Sequence, residues 1–271
     1  MHPILFTIGN FPVHSFGVMM VLAFFASLWL VRLRAAKYGF TISEVSDMFF
    51  WTLIAGILGA RIVYILQELP YYLKHTDELL SFRFQGLTSF GGLIFGAAVV
   101  IGWALKRKAS LRNLLDLSAP AFLVGHAIGR IGCLLNGCCY GGTCPADMPW
   151  GIHILGQATL HHPAQVYDSL MNVAALVFVL LWERRGARPG QVFGAVLALH
   201  GLARFIYEFW RAGTDDQVAR GEASSTYWGT LPLTQAQGMA ALIIVVGVFF
   251  LVKYSRGPVA VSQNPGGVQA A

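Results

Sequence analysis

The chain has 271 residues, 56% hydrophobic and 12% charged, with a formal net charge of +6 and a mean hydropathy of +0.60. A soluble domain carries roughly 25% charged residues, so a water-soluble globular protein is excluded. The positive balance calls for no nucleic-acid partner, because anionic membrane lipids attract the same charge.

Seven apolar windows approach the roughly 20 residues that cross a hydrocarbon core. They are Val13–Val31, Met48–Leu66, Leu87–Leu105, Leu114–Leu135, Ala164–Trp182, Val192–Trp210 and Ala236–Val252. The pattern predicts an all-α, polytopic membrane helix bundle, with residues 1–254 as one transmembrane domain. A Gly-, Pro- and Gln-containing tail over 255–271 reads as disordered. No Lys or Arg precedes the first window, and basic residues follow it; it therefore reads as a retained span, not a signal peptide.

Basic residues follow spans one, three, five and seven, twelve in all, against four in the alternate segments. The positive-inside rule then puts the N-terminus outside and the C-terminus in the cytoplasm. Three outward segments exceed plain turns: 68–86, 140–163 and 212–234. The first mixes aromatic and charged residues, as an interfacial helix would. The second, rich in Gly, Pro and Cys, predicts a small extracytoplasmic cap.

Three arginines lie inside spans: Arg61, Arg130 and Arg204. Charges at bilayer depth are costly and usually line a protected cavity. At ~100° per residue, His200, Arg204, Glu208 and Arg211 share an arc of about 80°. Two arginines against one carboxylate leave positive charge for a phosphate to accept; a structural Arg–Glu tie is the plainer reading. His126, Arg130, Cys133 and Gly137 likewise share about 60° of span four. Gly125 and Gly129 suit close helix packing, whereas Arg130 requires an anion or a carboxylate. Arg61 repeats the pattern in span two, with snorkelling to the interface as its alternative. In span five, Pro163 fits a helix start and Asp168 adds a carboxylate; His161 and His162 read equally well as exposed loop residues.

The four cysteines, Cys133, Cys138, Cys139 and Cys144, leave a disulfide or simple packing, thiol redox chemistry and a metal site all open. No paired C-x-x-C spacing singles out the metal.

Gly129-Arg-Ile-Gly-Cys-Leu-Leu-Asn-Gly-Cys-Cys-Tyr-Gly141 resembles the signature of the bacterial prolipoprotein diacylglyceryl transferases. Gly59-Ala-Arg-x-x-Tyr64, Gly91-Gly-Leu-Ile94, His162-Pro-x-Gln-x-Tyr167 and Arg204-x-x-x-Glu208-x-x-Arg211 extend the likeness along the chain. The resemblance implies transfer of the diacylglyceryl group of phosphatidylglycerol to the lipobox cysteine of a prolipoprotein, at the outer face of the inner membrane. It implies no metal and no organic cofactor. Arg204, His200, Glu208 and His126 become catalytic candidates; Arg130, Arg61, Arg211, Asn136 and Gly141 become substrate-binding ones. The chain departs from the family at several positions. Phe90 stands where members carry a histidine, Cys133 and Cys138 replace an asparagine and a glutamate, and His200 and Phe16 replace tyrosines. His200 or His126 is then expected to handle the proton, since imidazole titrates near neutral pH. The readings set against transfer are a lipid or anion carrier and a thiol oxidoreductase at Cys138 and Cys139.

Overall fold

A computed structural model describes residues 1–9, 11–76, 88–154, 158–211 and 233–255. Each of the seven windows is a helix: α1 (Ser15–Ala35), α2 (Ile42–Gln67), α4 (Ser89–Lys106), α5 (Leu111–Asn136), α6 (Ala164–Arg184), α7 (Gln191–Tyr207) and α8 (Gln235–Lys253). A short α3 (Leu69–Tyr72) follows α2 in the first long connection. Five of these helices are long and apolar enough to span a bilayer, and the helices of windows three and six are shorter apolar ones. The protein is a polytopic membrane helix bundle.

Two small sheets interrupt the helical pattern. β1 (Ile4–Ile8) pairs antiparallel with β2 (Phe11–His14), immediately before α1. The sequence reading did not anticipate this hairpin, because its apolar residues merge with the first span. β3 (Ile152–His153) pairs with β4 (Leu160–His161), and bridges Gly141–Arg211 and Thr143–His161 extend that small structure. The described part of the segment read as a cap is thus mostly irregular chain, tied together by these short pairings. Most of 212–234 and nearly all of the tail lie outside the described residues.

Contacts group the chain into two units. In Arg32–Leu114, α2 begins six residues before the hydropathy window, because Thr41 and Glu44 close a capping box. Thr41 Oγ1 accepts from the Glu44 amide at 3.2 Å, and Glu44 Oε2 accepts from the Thr41 amide at 2.9 Å. α2 and α4 touch backbone to backbone: a Cβ at Gly91 would overlap the Gly59 carbonyl. The Gly91-Gly92 pair thus acts as a packing surface.

The other unit comprises Met1–Val31 and Leu115–Ala271. Its apolar core joins α5, α6 and α7 through Ala119, Leu123, Ala175, Val179, Val192, Ala195 and Val196. α1 lies along the glycine side of α5, with Ser27 donating to the Ala121 carbonyl at 2.9 Å and Met19 against Gly132. α7 and α8 cross closely at Gly194, Gly201 and Gly247, where any added Cβ would meet the facing backbone. Asp116 of α5, 1% exposed, accepts from the Gly190 and Phe193 amides at 2.5 and 2.7 Å. It satisfies donors that the N-terminus of α7 would otherwise leave bare.

Candidate functional site

Asp168, on the first turns of α6 and 1% exposed, is the hub of a polar network inside the bundle. Its Oδ2 accepts from Arg130 Nε at 2.5 Å and from His126 Nε2 at 3.0 Å. Arg130 and His126 are one helical turn apart on α5, so one carboxylate reaches both. The Asp168 Oδ1 accepts from Asn172 Nδ2 at 2.7 Å, and the same amide group reaches the Asp168 carbonyl at 2.8 Å. With its nitrogen committed, Asn172 presents Oδ1 to His200 Nδ1, 2.8 Å away. Nδ1 therefore carries the proton, and the lone pair of a neutral His200 sits on Nε2. The two imidazoles meet edge to face with centroids 4.9 Å apart. By the same logic a neutral His126, donating through Nε2, keeps its lone pair on Nδ1.

A second carboxylate organises the end of α7. Glu208 is fully buried and takes Arg204 Nη1 at 2.5 Å and Arg211 Nη1 at 3.6 Å. Helical periodicity fails just here. α7 ends at Tyr207, and the next amides reach back only three residues, Phe209 to Ile206 and Trp210 to Tyr207. This correction shortens the expected sixth span by one turn. It directs Arg211 into the backbone bridge with Gly141 while its side chain still reaches Glu208.

The two networks meet at Tyr207. The guanidinium carbon of Arg130 lies 4.7 Å from the centre of its ring and that of Arg204 4.9 Å. Within that distance the ring's π-electrons attract both cations. Their hydrogen-bonding edges are only partly used. Among the described residues, both Nη atoms of Arg130 and the Nη2 of Arg204 have no protein acceptor. The carboxylates are sealed at 1% and 0% exposure, while Arg130 and Arg204 keep 16% and 22%. Among the described residues three arginines face two carboxylates, which leaves surplus positive charge in that count.

The remaining candidates fall into different places. Asn136 ends α5, two residues before Cys138. Gly141 is held between the Trp210 and His162 backbones, where a Cβ would collide with both, so it acts here through close approach. Arg61 belongs to the other unit and lies over the Tyr72 ring at 5.5 Å. His161 is not a loop residue: it is 2% exposed and bonded to the Gly141 carbonyl at 3.0 Å. The side chain of Phe90 lies outside the described residues.

Asp168, Asn172 and Tyr207 were not among the candidates. Their signal was present: Asp168 and Asn172 are four apart within an apolar span, and Tyr207 follows Arg204 by three. Polar residues of α6 acquire meaning only once α6 is set against α5 and α7.

Comparison with known proteins places the chain in a family. The chain is 29% identical to a Clostridium tetani phosphatidylglycerol–prolipoprotein diacylglyceryl transferase over 254 residues, covering 92% of this chain and 96% of that one. A Geobacter sulfurreducens protein of the same name is 35% identical over 77% of this chain and 82% of its own. A Streptococcus pyogenes one is 28% identical over 94% and 96%. The family described as prolipoprotein diacylglyceryl transferase matches residues 3–253, which include every residue of the two networks. The chain belongs to the prolipoprotein diacylglyceryl transferase family.

Proposed function

We propose that this protein transfers the diacylglyceryl group of phosphatidylglycerol to the cysteine thiol of a prolipoprotein lipobox, releasing glycerol phosphate. The observation that carries this reading is the pair of guanidiniums, Arg130 and Arg204, on the single ring of Tyr207. A phosphodiester leaving group accumulates negative charge as its bond to carbon breaks. Preorganised cations in a dry site stabilise that charge without reorganising. Sulfur forms its bond to the glyceryl carbon as the carbon–oxygen bond to phosphate breaks, and glycerol phosphate leaves with the electron pair.

The thiol proton needs an acceptor. His126 is the better placed of the two imidazoles, because its Nε2–H donates to Asp168 and a carboxylate there stabilises the imidazolium that forms. His200, tied through Asn172 to the same carboxylate, keeps the neighbouring ring in register. Glu208 orients Arg204 and Arg211. Asn136 and Gly141 shape the turn beside them, and Arg61 contributes to lipid headgroup binding. The reaction takes place at the outer face of the inner membrane, with the N-terminus outside and the C-terminus cytoplasmic, and uses no cofactor.

Purified protein with phosphatidylglycerol vesicles and a lipobox peptide should yield a peptide heavier by one diacylglyceryl group, read by mass spectrometry. Arg130→Ala and Arg204→Ala should each lower the rate about 10²–10³-fold, the usual cost of removing one such donor. His126→Gln should lose about 10²–10⁴-fold, and His200→Gln less. Absence of the adduct in all lipid conditions, or full activity of both arginine variants, would sink the reading.

A further inference from the structure

The end of α5 gathers three thiols that the transfer reaction does not use. Gly137 has φ +79°. The amide of Cys138 reaches the Cys133 carbonyl at 3.1 Å, and that of Gly137 reaches Leu134 at 3.2 Å. These are the two reverse bonds of a Schellman ending, with Cys133 three residues inside the cap and Cys138 two beyond it. Side chains at those two positions touch as a consequence of the motif, usually as an apolar pair. Here both are cysteines. Cys139 then adopts φ +61°, a conformation uncommon outside glycine, and this brings a third thiol onto the same side. The Cys138 and Cys139 sulfurs are 3.8 Å apart, and all three sulfurs lie within 4.8 Å of one another. None is in a disulfide.

We propose that Cys133, Cys138 and Cys139 form a binding site for a soft, thiophilic d¹⁰ cation of the zinc(II) or copper(I) class. Thiolates select such ions over hard ones; the 3.8 Å between Cys138 and Cys139 suits a common centre about 2.3 Å from each sulfur, and the third thiol, within 4.8 Å, needs only a small side-chain adjustment to join them. Each thiol gives up its proton as its sulfur–metal bond forms. Three thiolates around a divalent ion leave one negative charge, and Arg130 and Arg211 both act on Cys139 electrostatically. Gln165 supplies an independent pointer. It is fully buried and pins the turn by donating from Nε2 to the Cys138 carbonyl at 2.7 Å. Its Oε1 is buried and has no hydrogen-bond partner among the described residues. Bonded to the same carbon as the Nε2 that holds the Cys138 carbonyl, that orphan acceptor lies beside the thiol turn, where a water on the open fourth position of zinc could supply its missing donor. Copper(I) is complete with three sulfurs and would leave it bare.

The test uses full-length, fully reduced protein in detergent, under nitrogen. Cd²⁺ serves as the spectroscopic probe, and Zn²⁺ and Cu⁺ are titrated in separate arms. A thiolate-to-metal charge-transfer band should saturate at one ion per chain. Alkylation followed by intact-mass measurement should then find one reactive thiol out of the four in the chain. Simultaneous replacement of Cys133, Cys138 and Cys139 by Ser should abolish the band and leave one alkylatable thiol with or without metal, whereas Cys144→Ser should keep the band and leave no reactive thiol in the loaded protein. Cys138→Ser alone, milder for folding, should weaken binding by about 100-fold or more, as loss of a metal's supporting groups does. Gln165→Leu should weaken zinc more than copper. No saturable band, a band that survives the triple replacement, or equal loss in Cys144→Ser overturns the site. None of these readouts depends on transferase activity.

Discussion

Tyr207 carries the tightest demand of any single residue, since it sets two guanidiniums against one ring. Its hydroxyl only grazes the Cys139 carbonyl at 3.5 Å, so the aromatic plane matters more than the oxygen. Tyr207→Phe should therefore retain the rate within a few-fold, whereas Tyr207→Leu removes two cation–π contacts of about 0.5–2 kcal/mol each and should lower kcat at least tenfold with little change in KM. Equal losses in both variants would show that the hydroxyl, not the ring, does the work. Asp168→Asn tests the other hub. It leaves Arg130 without its counter-ion in a dry setting, which costs far more than an exposed pair would, and steady-state kinetics should register a loss beyond that of Asn172→Ala. The arginines and histidines were legible in the sequence because charge in an apolar span is rare. Asp168 was visible but unassigned, and Tyr207 was not read at all. An aromatic residue in a membrane helix is ordinary, and only the meeting of α5 with α7 makes this one special.

Hydropathy found the seven apolar helices of the described residues and misplaced some of their ends, for identifiable reasons. α2 starts early because the Thr41–Glu44 box makes a polar stretch helical. α7 stops early because its last amides turn back by three residues. The β1–β2 hairpin escaped notice because alternation is short there and apolar on both faces. Glycine placement, by contrast, was informative, and Gly125 does face α1 through Ser27. Two element-level expectations follow. Gly247→Val should drive α8 off the α7 backbone and lower the unfolding midpoint in detergent sharply, as overpacking of a close crossing costs about 1–3 kcal/mol or more. Asp116→Ala should cost about 1–2 kcal/mol by uncapping α7, with Asp116→Asn, which keeps one acceptor, falling between it and the parent protein.

For the molecule as a whole, the proposed orientation puts Cys144 and the β3–β4 sheet outside the cell. A variant retaining only Cys144 should react with a membrane-impermeant maleimide in intact spheroplasts, while a reporter fused after Lys253 should be active only in the cytoplasm. Reversal of either result would invert the topology. The order of the chain has one more effect. Arg130 is made 38 residues before Asp168, so at 5–20 residues per second it waits roughly 2–8 s for its counter-ion. A lone arginine at a span's centre costs about 2.5–3.5 kcal/mol on insertion scales; Arg130, six residues from the end of α5, costs less than that, and the apolar remainder of the helix offsets it. The nascent helix therefore enters the bilayer carrying an unmatched cation, and the arrival of α6 closes that interval. The spacing between the two residues therefore sets how long the membrane must hold that charge.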